Sequence, residues 1–294
     1  MKKILISDKL AEAGINYLNQ QADSGIQIHI QTGLDEAGLC DIIGEYDALL
    51  IRSDTKVTKK VLEAAKNLKL IGRAGIGVDN VDIPMATEMG VIVMNTPDAN
   101  ATTTAELAIA HMMSLSRRLP AADRSVRAGK WERTLVGAEI AHKTLGIVGF
   151  GTIGRIASTR GLGLRMEVIA YDPFVAPEIY AEYGVESVSL DDLVSRADYI
   201  TLHCPLIEKT KNLIGAAQFA KMKKGARIIN CARGGLIDET ALYEALKNGQ
   251  CAGAALDGYE NETPVGSPLL ELDNIVCTPH LGASTTEAQV AVSV

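Results

Sequence analysis

Aromatic side chains are scarce: 12 of the 294 residues, with one Trp and three Phe. Single-stranded nucleic acids are held on interleaved aromatic platforms, which so few rings do not provide. Positive charge is also in deficit, since 29 Lys and Arg face 36 Asp and Glu for a formal charge of −7. No broad field gathers phosphate backbones, so no nucleic-acid partner is expected. The five cysteines, Cys40, Cys204, Cys231, Cys251 and Cys277, are odd in number and form no CxxC pair. That pattern suggests neither a disulfide framework nor a zinc site, and no metal is expected. Long apolar runs are missing too: in MKKILISDKLAEAG the first run breaks at Ser7 and Asp8, too early for a signal peptide or a membrane span. A reduced, soluble, cytoplasmic protein with no membrane partner is the expectation.

What is present is an ordinary globular balance, 47% apolar and 22% charged, over a length that suits one large domain or two average ones. Short Val-, Ile- and Leu-rich runs recur: KILIS (3–7), IQIHI (26–30), ALLI (48–51), KLIG (69–72) and VIVMN (91–95). A second series follows, with LGIVGF (145–150), EVIAYD (167–172), YITLHC (199–204), ARIINC (226–231), GAALD (253–257) and NIVCTPH (274–280). Runs apolar on both faces are strands covered by helices on both sides, and their alternation with helical stretches predicts α/β architecture with two doubly wound parallel sheets. The chain is expected to cross between domains at NTPDANATTT (95–104), before a helix starting near Thr104.

The run TLGIVGFGTIGR places Gly149, Gly151 and Gly154 as G-x-G-x-x-G between an apolar strand and a helix beginning near Ile153. In that context the glycines allow a tight turn and the close approach of a pyrophosphate to the helix amides. Asp172, 18 residues past Gly154 at the next strand end, suits both hydroxyls of an adenosine ribose and would repel a 2′-phosphate, so the expected cofactor is NAD. A second glycine cluster, GRAGIGVDN, follows a strand but has Asn80 where the fingerprint needs its last Gly.

Dehydrogenation of an alcohol needs a proton acceptor and a cation to hold the substrate. Arg233, after INCA, stands at a strand's carboxyl end, where a guanidinium can grip a carboxylate through two bonds. Of the five histidines, His29 and His111 read as structural and His142 lies in a polar connection. His203 and His280 both end strands; His203, before Cys204 and Pro205, suits the cofactor side, and His280 in TPHLGAS suits an exposed turn. Glu262 in DGYENETP is a candidate partner for the imidazole, and spacing alone leaves Asp257 and Glu260 nearly as good.

Together RSDTKVT, GRAGIGVDNVD, VMNTPDANATTTAEL, GKWERT, TLGIVGFGTIGR, NCARGG and PHLGAST resemble the NAD-dependent D-2-hydroxyacid dehydrogenase family, in family order over nearly the whole chain. The resemblance implies two Rossmann-like domains, an NAD-binding domain (99–280) inserted into a substrate domain (1–98 and 281–294). It implies Arg233, Glu262 and His280 as catalytic residues and Asp172 as the ribose-binding acid. The implied cofactor contacts also include Thr152, Ile153, Cys204, Cys231, Ala232, Asp257, Gly282 and Ala283. GRAGIG then becomes a loop whose amides near Gly75 and Ile76 hold the substrate carboxylate. Arg52, Ser53, Arg73 and Asn100 lie in segments that face a substrate phosphate in phosphate-handling members, and Arg133 in GKWERT resembles an Arg that reaches a neighbouring subunit.

Two departures stand out. Gly258 and Thr263 occupy positions where relatives commonly carry Val and Pro, although Asp257 and Tyr259 keep Glu262 in register. The chain stops at Val294, inside what would be the returning helix, and is expected to be a short form without a regulatory domain. The expected activity is NAD-dependent oxidation of a phosphorylated 2-hydroxy acid by a homodimer or homotetramer, with Trp131 and Arg133 on the dimer face. The alternatives are a glyoxylate or hydroxypyruvate reductase of the same family and an NAD-responsive, corepressor-like binding protein.

Overall fold

Each of the eleven apolar runs becomes a strand, and their carboxyl ends fall along one edge of each of two parallel sheets. The computed structural model describes residues 1–20 and 25–294, which form two units, Met1–Ala101 with Ala283–Val294, and Thr102–Gly282.

The first unit holds β1 (Lys2–Ile6), β2 (Ile26–Ile30), β3 (Ala48–Ile51), β4 (Leu70–Arg73) and β5 (Ile92–Asn95) in the order β2-β1-β3-β4-β5. All pairs are parallel. The order reverses between β1 and β3, the crevice-forming switch point of a doubly wound sheet. Side-chain caps fix where several helices begin: Asp35 accepts the Gly38 amide, Thr58 the Val61 amide and Asp82 the Met85 amide. Leu5, Leu39, Ile43, Leu49, Ile51, Leu62 and Ile71 fill the core between sheet and helices.

The second unit holds β6 (Thr144–Val148), β7 (Glu167–Tyr171), β8 (Glu186–Ser187), β9 (Tyr199–Leu202), β10 (Ala226–Asn230), β11 (Cys251–Leu256) and β12 (Ile275–Cys277). Their order is β12-β11-β10-β9-β6-β7-β8, all parallel, with the reversal between β6 and β9. Successive side chains of a strand serve opposite faces: Ile147, Val168, Ala170 and Ile229 join one core, while Val148, Ile169, Ile200 and Ile228 join the other. This is why the strands read as continuous apolar runs. The sequence runs did not include β8, whose two exposed edge residues carry no apolar signal.

The helix expected near Thr104 starts at Ala101 and runs to Arg117. Thr104 is therefore inside the helix rather than at its start, and its hydroxyl is spent on the Gly282 carbonyl at 2.9 Å. Among the described residues no helix is long and apolar enough to cross a membrane.

Candidate active site

The carboxyl edge of the second sheet gathers Gly149 after β6, Asp172 after β7, Cys204 after β9, Arg233 after β10, Asp257 after β11 and His280 beyond β12. Parallel pairing alone brings these distant sequence positions to one edge. The most direct contact among them is His280 Nδ1 to Glu262 Oε1, at 2.6 Å. Both side chains keep solvent access, 36% for His280 and 62% for Glu262. His280 has φ 56° and Thr263 φ 65°, left-handed values that bulky residues adopt only where the surroundings enforce them.

Asp257 is not the imidazole's partner. It is 1% exposed, and its carboxylate accepts the Thr278 hydroxyl, the Leu281 amide at 2.7 Å and the Gly282 amide at 2.9 Å. It thus holds the turn that carries His280. Glu260 has no hydrogen bond to the ring; its backbone amide donates to Glu239 Oε1 at 2.7 Å. Of the three carboxylates that spacing left open, Glu262 is the one on the ring, and Nε2 is the ring nitrogen left for a ligand.

Arg233 is set by Asn230, which donates to the Arg233 carbonyl at 2.7 Å and accepts the Ala232 amide at 3.1 Å. Gly258 lies against this loop: a Cβ there would stand 3.1 Å from the Gly234 nitrogen, so glycine suits the position. His203 turns Nε2 to the Thr201 hydroxyl at 3.0 Å while Nδ1 is buried without a partner, and burial pushes its pKa down to about 4. Burial pushes the Cys204 thiol up to about 11 and raises the Cys231 thiol as well, so neither is a thiolate near neutrality.

In the glycine turn, Gly149 has φ +93° and its Cβ would stand 2.7 Å from the Cys204 nitrogen. A Cβ on Gly154 would run into the Gly149 carbonyl, whereas one on Gly151 would meet nothing. Two glycines are therefore demanded by the fold and the third is left facing open space. The helix Thr152–Gly163 starts at Gly151 with no side-chain cap, leaving its first amides for an outside acceptor.

In the first unit, Arg52 and Ser53 follow β3 and Arg73 ends β4, beside Asn95 at the end of β5. Asp8 holds the Arg52 amide, Asn80 donates to the Arg52 carbonyl at 2.6 Å, and Arg52 Nη1 donates to Gln289 Oε1 at 2.7 Å, leaving Nε buried without a partner. The Gly75 amide donates to the Thr96 hydroxyl at 2.8 Å, and the Arg73 guanidinium lies across Gly75. Ile76 takes Asn95 on its carbonyl at 2.7 Å, and Asn100 precedes the helix Ala101–Arg117. Arg133, in the second unit, is exposed within a segment without helix or strand.

Residues 109–282 match the model of the D-isomer specific 2-hydroxyacid dehydrogenase NAD-binding domain. The chain belongs to that dehydrogenase family. The D-3-phosphoglycerate dehydrogenase of Synechocystis is 50% identical over 295 residues, spanning 100% of this chain and 52% of its own length. This chain thus spans about half the length of the curated relatives it matches. Among solved structures, the apo D-lactate dehydrogenase of Escherichia coli is 34% identical with a TM-score of 0.84, covering 100% of this chain and 93% of that one. A glyoxylate reductase from Paecilomyes thermophila is 31% identical with a TM-score of 0.89, covering 99% and 92%.

The residues present fit the dinucleotide that the dehydrogenase family uses. The open face at Gly151, the uncapped helix amides and the carboxylate of Asp172 form a cradle for pyrophosphate and ribose. Asp172 also accepts the Phe150 amide at 2.9 Å and the Phe174 amide at 3.0 Å, which fixes its orientation. Sequence reasoning missed Asp8, Gln289 and Thr96, the residues that position the first unit's arginine and glycine loop. Asp8 follows a strand as Asp172 does, a signal that could have found it; Gln289 and Thr96 carry no local signal.

Proposed function

We propose that the protein oxidises 3-phospho-D-glycerate to 3-phosphohydroxypyruvate with NAD, the first step of serine biosynthesis. The observation that carries the reading is the 2.6 Å contact between His280 and Glu262 at the sheet edge that also bears Arg233. His280 Nε2 takes the proton of the C2 hydroxyl as the carbonyl forms, and Glu262 stabilises the resulting imidazolium. In the second unit Arg233 is assigned to the carboxylate. In the first unit the amides near Gly75 and Ile76 are assigned as carboxylate donors, and because Thr96 already engages the Gly75 amide, its hydroxyl must yield or share that donor. The cofactor, held by Gly149 to Gly154 and Asp172, supplies the acceptor for the C2 hydride. Thr152, Ile153, Cys204, Cys231, Ala232, Asp257, Gly282 and Ala283 complete its surroundings in this reading.

Arg52, Ser53, Arg73 and Asn100 are assigned to the substrate phosphate, with Arg133 reaching a second subunit. A dianion bound to a chain of charge −7 needs such local cations. Thr102–Gly282 serves as the NAD domain and the other unit as the substrate domain. Exposed Leu119, Val126, Trp131 and Val136 are assigned to a homodimer face, which light scattering checks: a mass near the single-chain 31.3 kDa would oppose it. The five free cysteines suit a cytoplasmic setting.

The deciding experiment is steady-state turnover of 3-phospho-D-glycerate, D-glycerate and D-lactate with NAD and NADP, and of glyoxylate and hydroxypyruvate with the reduced cofactors. The highest kcat/KM is expected for the phosphorylated acid with NAD. Equal or better turnover of glyoxylate or hydroxypyruvate would replace this reading with the reductase.

A further inference from the structure

The long helix Ala101–Arg117 touches the His280 turn at two places seven residues apart, which is two helical turns and therefore one helix face. Thr104 Oγ1 donates to the Gly282 carbonyl at 2.9 Å. His111 Nε2 lies 3.0 Å from Thr278 Oγ1. These contacts bracket His280, one on each side of it in the chain.

The protons of the second contact can be assigned. Thr278 has one hydroxyl proton and gives it to Asp257 Oδ1. Toward His111 the same oxygen can only accept, so the imidazole carries its hydrogen on Nε2. His111 is 3% exposed, and burial lowers its pKa against the opposing pull of the Asp257 carboxylate, which keeps the ring neutral with one N–H to give. Asp257 in turn fixes the amides of Leu281 and Gly282, the residues that directly follow His280 in its left-handed conformation. A sequence reading treats His111 as packing; the structure makes it the far end of a chain of four hydrogen-bonded groups.

We propose that His111 is a positioning residue for the proton-transfer site: through Thr278 and Asp257 it holds the turn that presents His280. The imidazole donor polarises the Thr278 hydroxyl toward Asp257, and the tightened carboxylate restrains both amides beside His280. The catalytic part of this inference rests on His280 being the base, as proposed above; the structural part does not.

The test uses the full chain with His111→Leu, which keeps apolar bulk without the donor, and His111→Gln, whose amide can reach the same hydroxyl. Amide hydrogen exchange at Leu281 and Gly282 is expected to quicken roughly threefold to tenfold in His111→Leu and to return toward wild type in His111→Gln, with exchange in β10 unchanged. The kcat for whichever 2-hydroxy acid the wild type turns over should fall by a similar factor in His111→Leu at unchanged KM, and recover in His111→Gln. Wild-type exchange at both amides in His111→Leu, or equal effects of Leu and Gln, would overturn the proposal. Failure of the wild type to oxidise any acid would instead overturn the assigned function, while the exchange measurement still decides whether His111 holds the turn.

Discussion

The two sheets reverse strand order in the same manner, yet their switch points are filled differently. Between β6 and β9 the chain places glycine: the crevice is bounded by backbone, and Gly151 faces open space. Between β1 and β3 it places Ser7 and Asp8, both buried. The Asp8 carboxylate accepts the amides of Arg52 and Thr55 and the Thr55 hydroxyl, and Ser7 bonds that hydroxyl at 2.8 Å. A parallel sheet creates a crevice at every reversal, but the side chains there decide whether it is a ligand site or a sealed joint. In the first unit a fixed anion fills the crevice and leaves Arg52 at its rim, a poor place for pyrophosphate and a reasonable one for a small anion.

The largest expected effect tests whether chemistry belongs to the second region alone. His280→Ala should lower kcat by roughly two to four orders of magnitude, whereas Arg52→Ala should act mainly on KM. Steady-state kinetics that gave Arg52→Ala a comparable loss of kcat would erase the division. Next, Asp8→Ala removes the acceptor of three donors and should cost on the order of 4 kcal/mol in urea unfolding, with no new nucleotide binding at the first unit. A near-neutral effect would mean that the joint is not sealed by this carboxylate.

Acid should weaken the second region through His203. Its pKa is about 4 when folded and near 6.5 when exposed, so the unfolded chain takes up the proton first as pH falls. Stability is therefore full above about pH 6.5 and declines as pH drops toward 4, by roughly 3 kcal/mol for this group, and His203→Gln should flatten that part of the pH dependence. At the first region, Arg52→Ala should raise KM for the phosphorylated acid roughly 10- to 100-fold and leave D-lactate nearly unchanged. Equal losses for both would take the phosphate away from Arg52. The smallest effect sharpens the contrast within one turn: Gly151→Ala should shift stability by no more than about 0.5 kcal/mol while raising the Kd for NAD, since its Cβ would meet no protein atom.

The second region was the more legible of the two. Gly149, Gly151, Gly154 and Asp172 announce themselves by spacing, because a backbone turn imposes fixed offsets along the chain. The central strands β6 and β9 were legible because burial on both faces leaves an apolar run. The edge strands β2 and β5 kept enough Ile and Val to be read despite exposure, and β8 escaped because it is short and exposed at an edge. The choice among Asp257, Glu260 and Glu262 was not in the spacing; the folded loop decides it by burying Asp257 under Thr278, Leu281 and Gly282. The link between Arg52 and Gln289 spans 237 residues, and no local pattern encodes a contact of that separation. His111 looked like packing for the same reason, since its partner Thr278 lies 167 residues away.

Asp172 carries a consequence for redesign. The carboxylate assigned above to the cofactor ribose also rivets two neighbouring loops, through the amides of Phe150 and Phe174. Phe150 in turn stacks on Tyr180 at 4.7 Å inside the core. Asp172→Ala is therefore expected to loosen both loops as well as to weaken the preference for one dinucleotide. On the ribose assignment, an engineer seeking to reverse cofactor preference at this position must also rebuild the anchorage at 150 and 174.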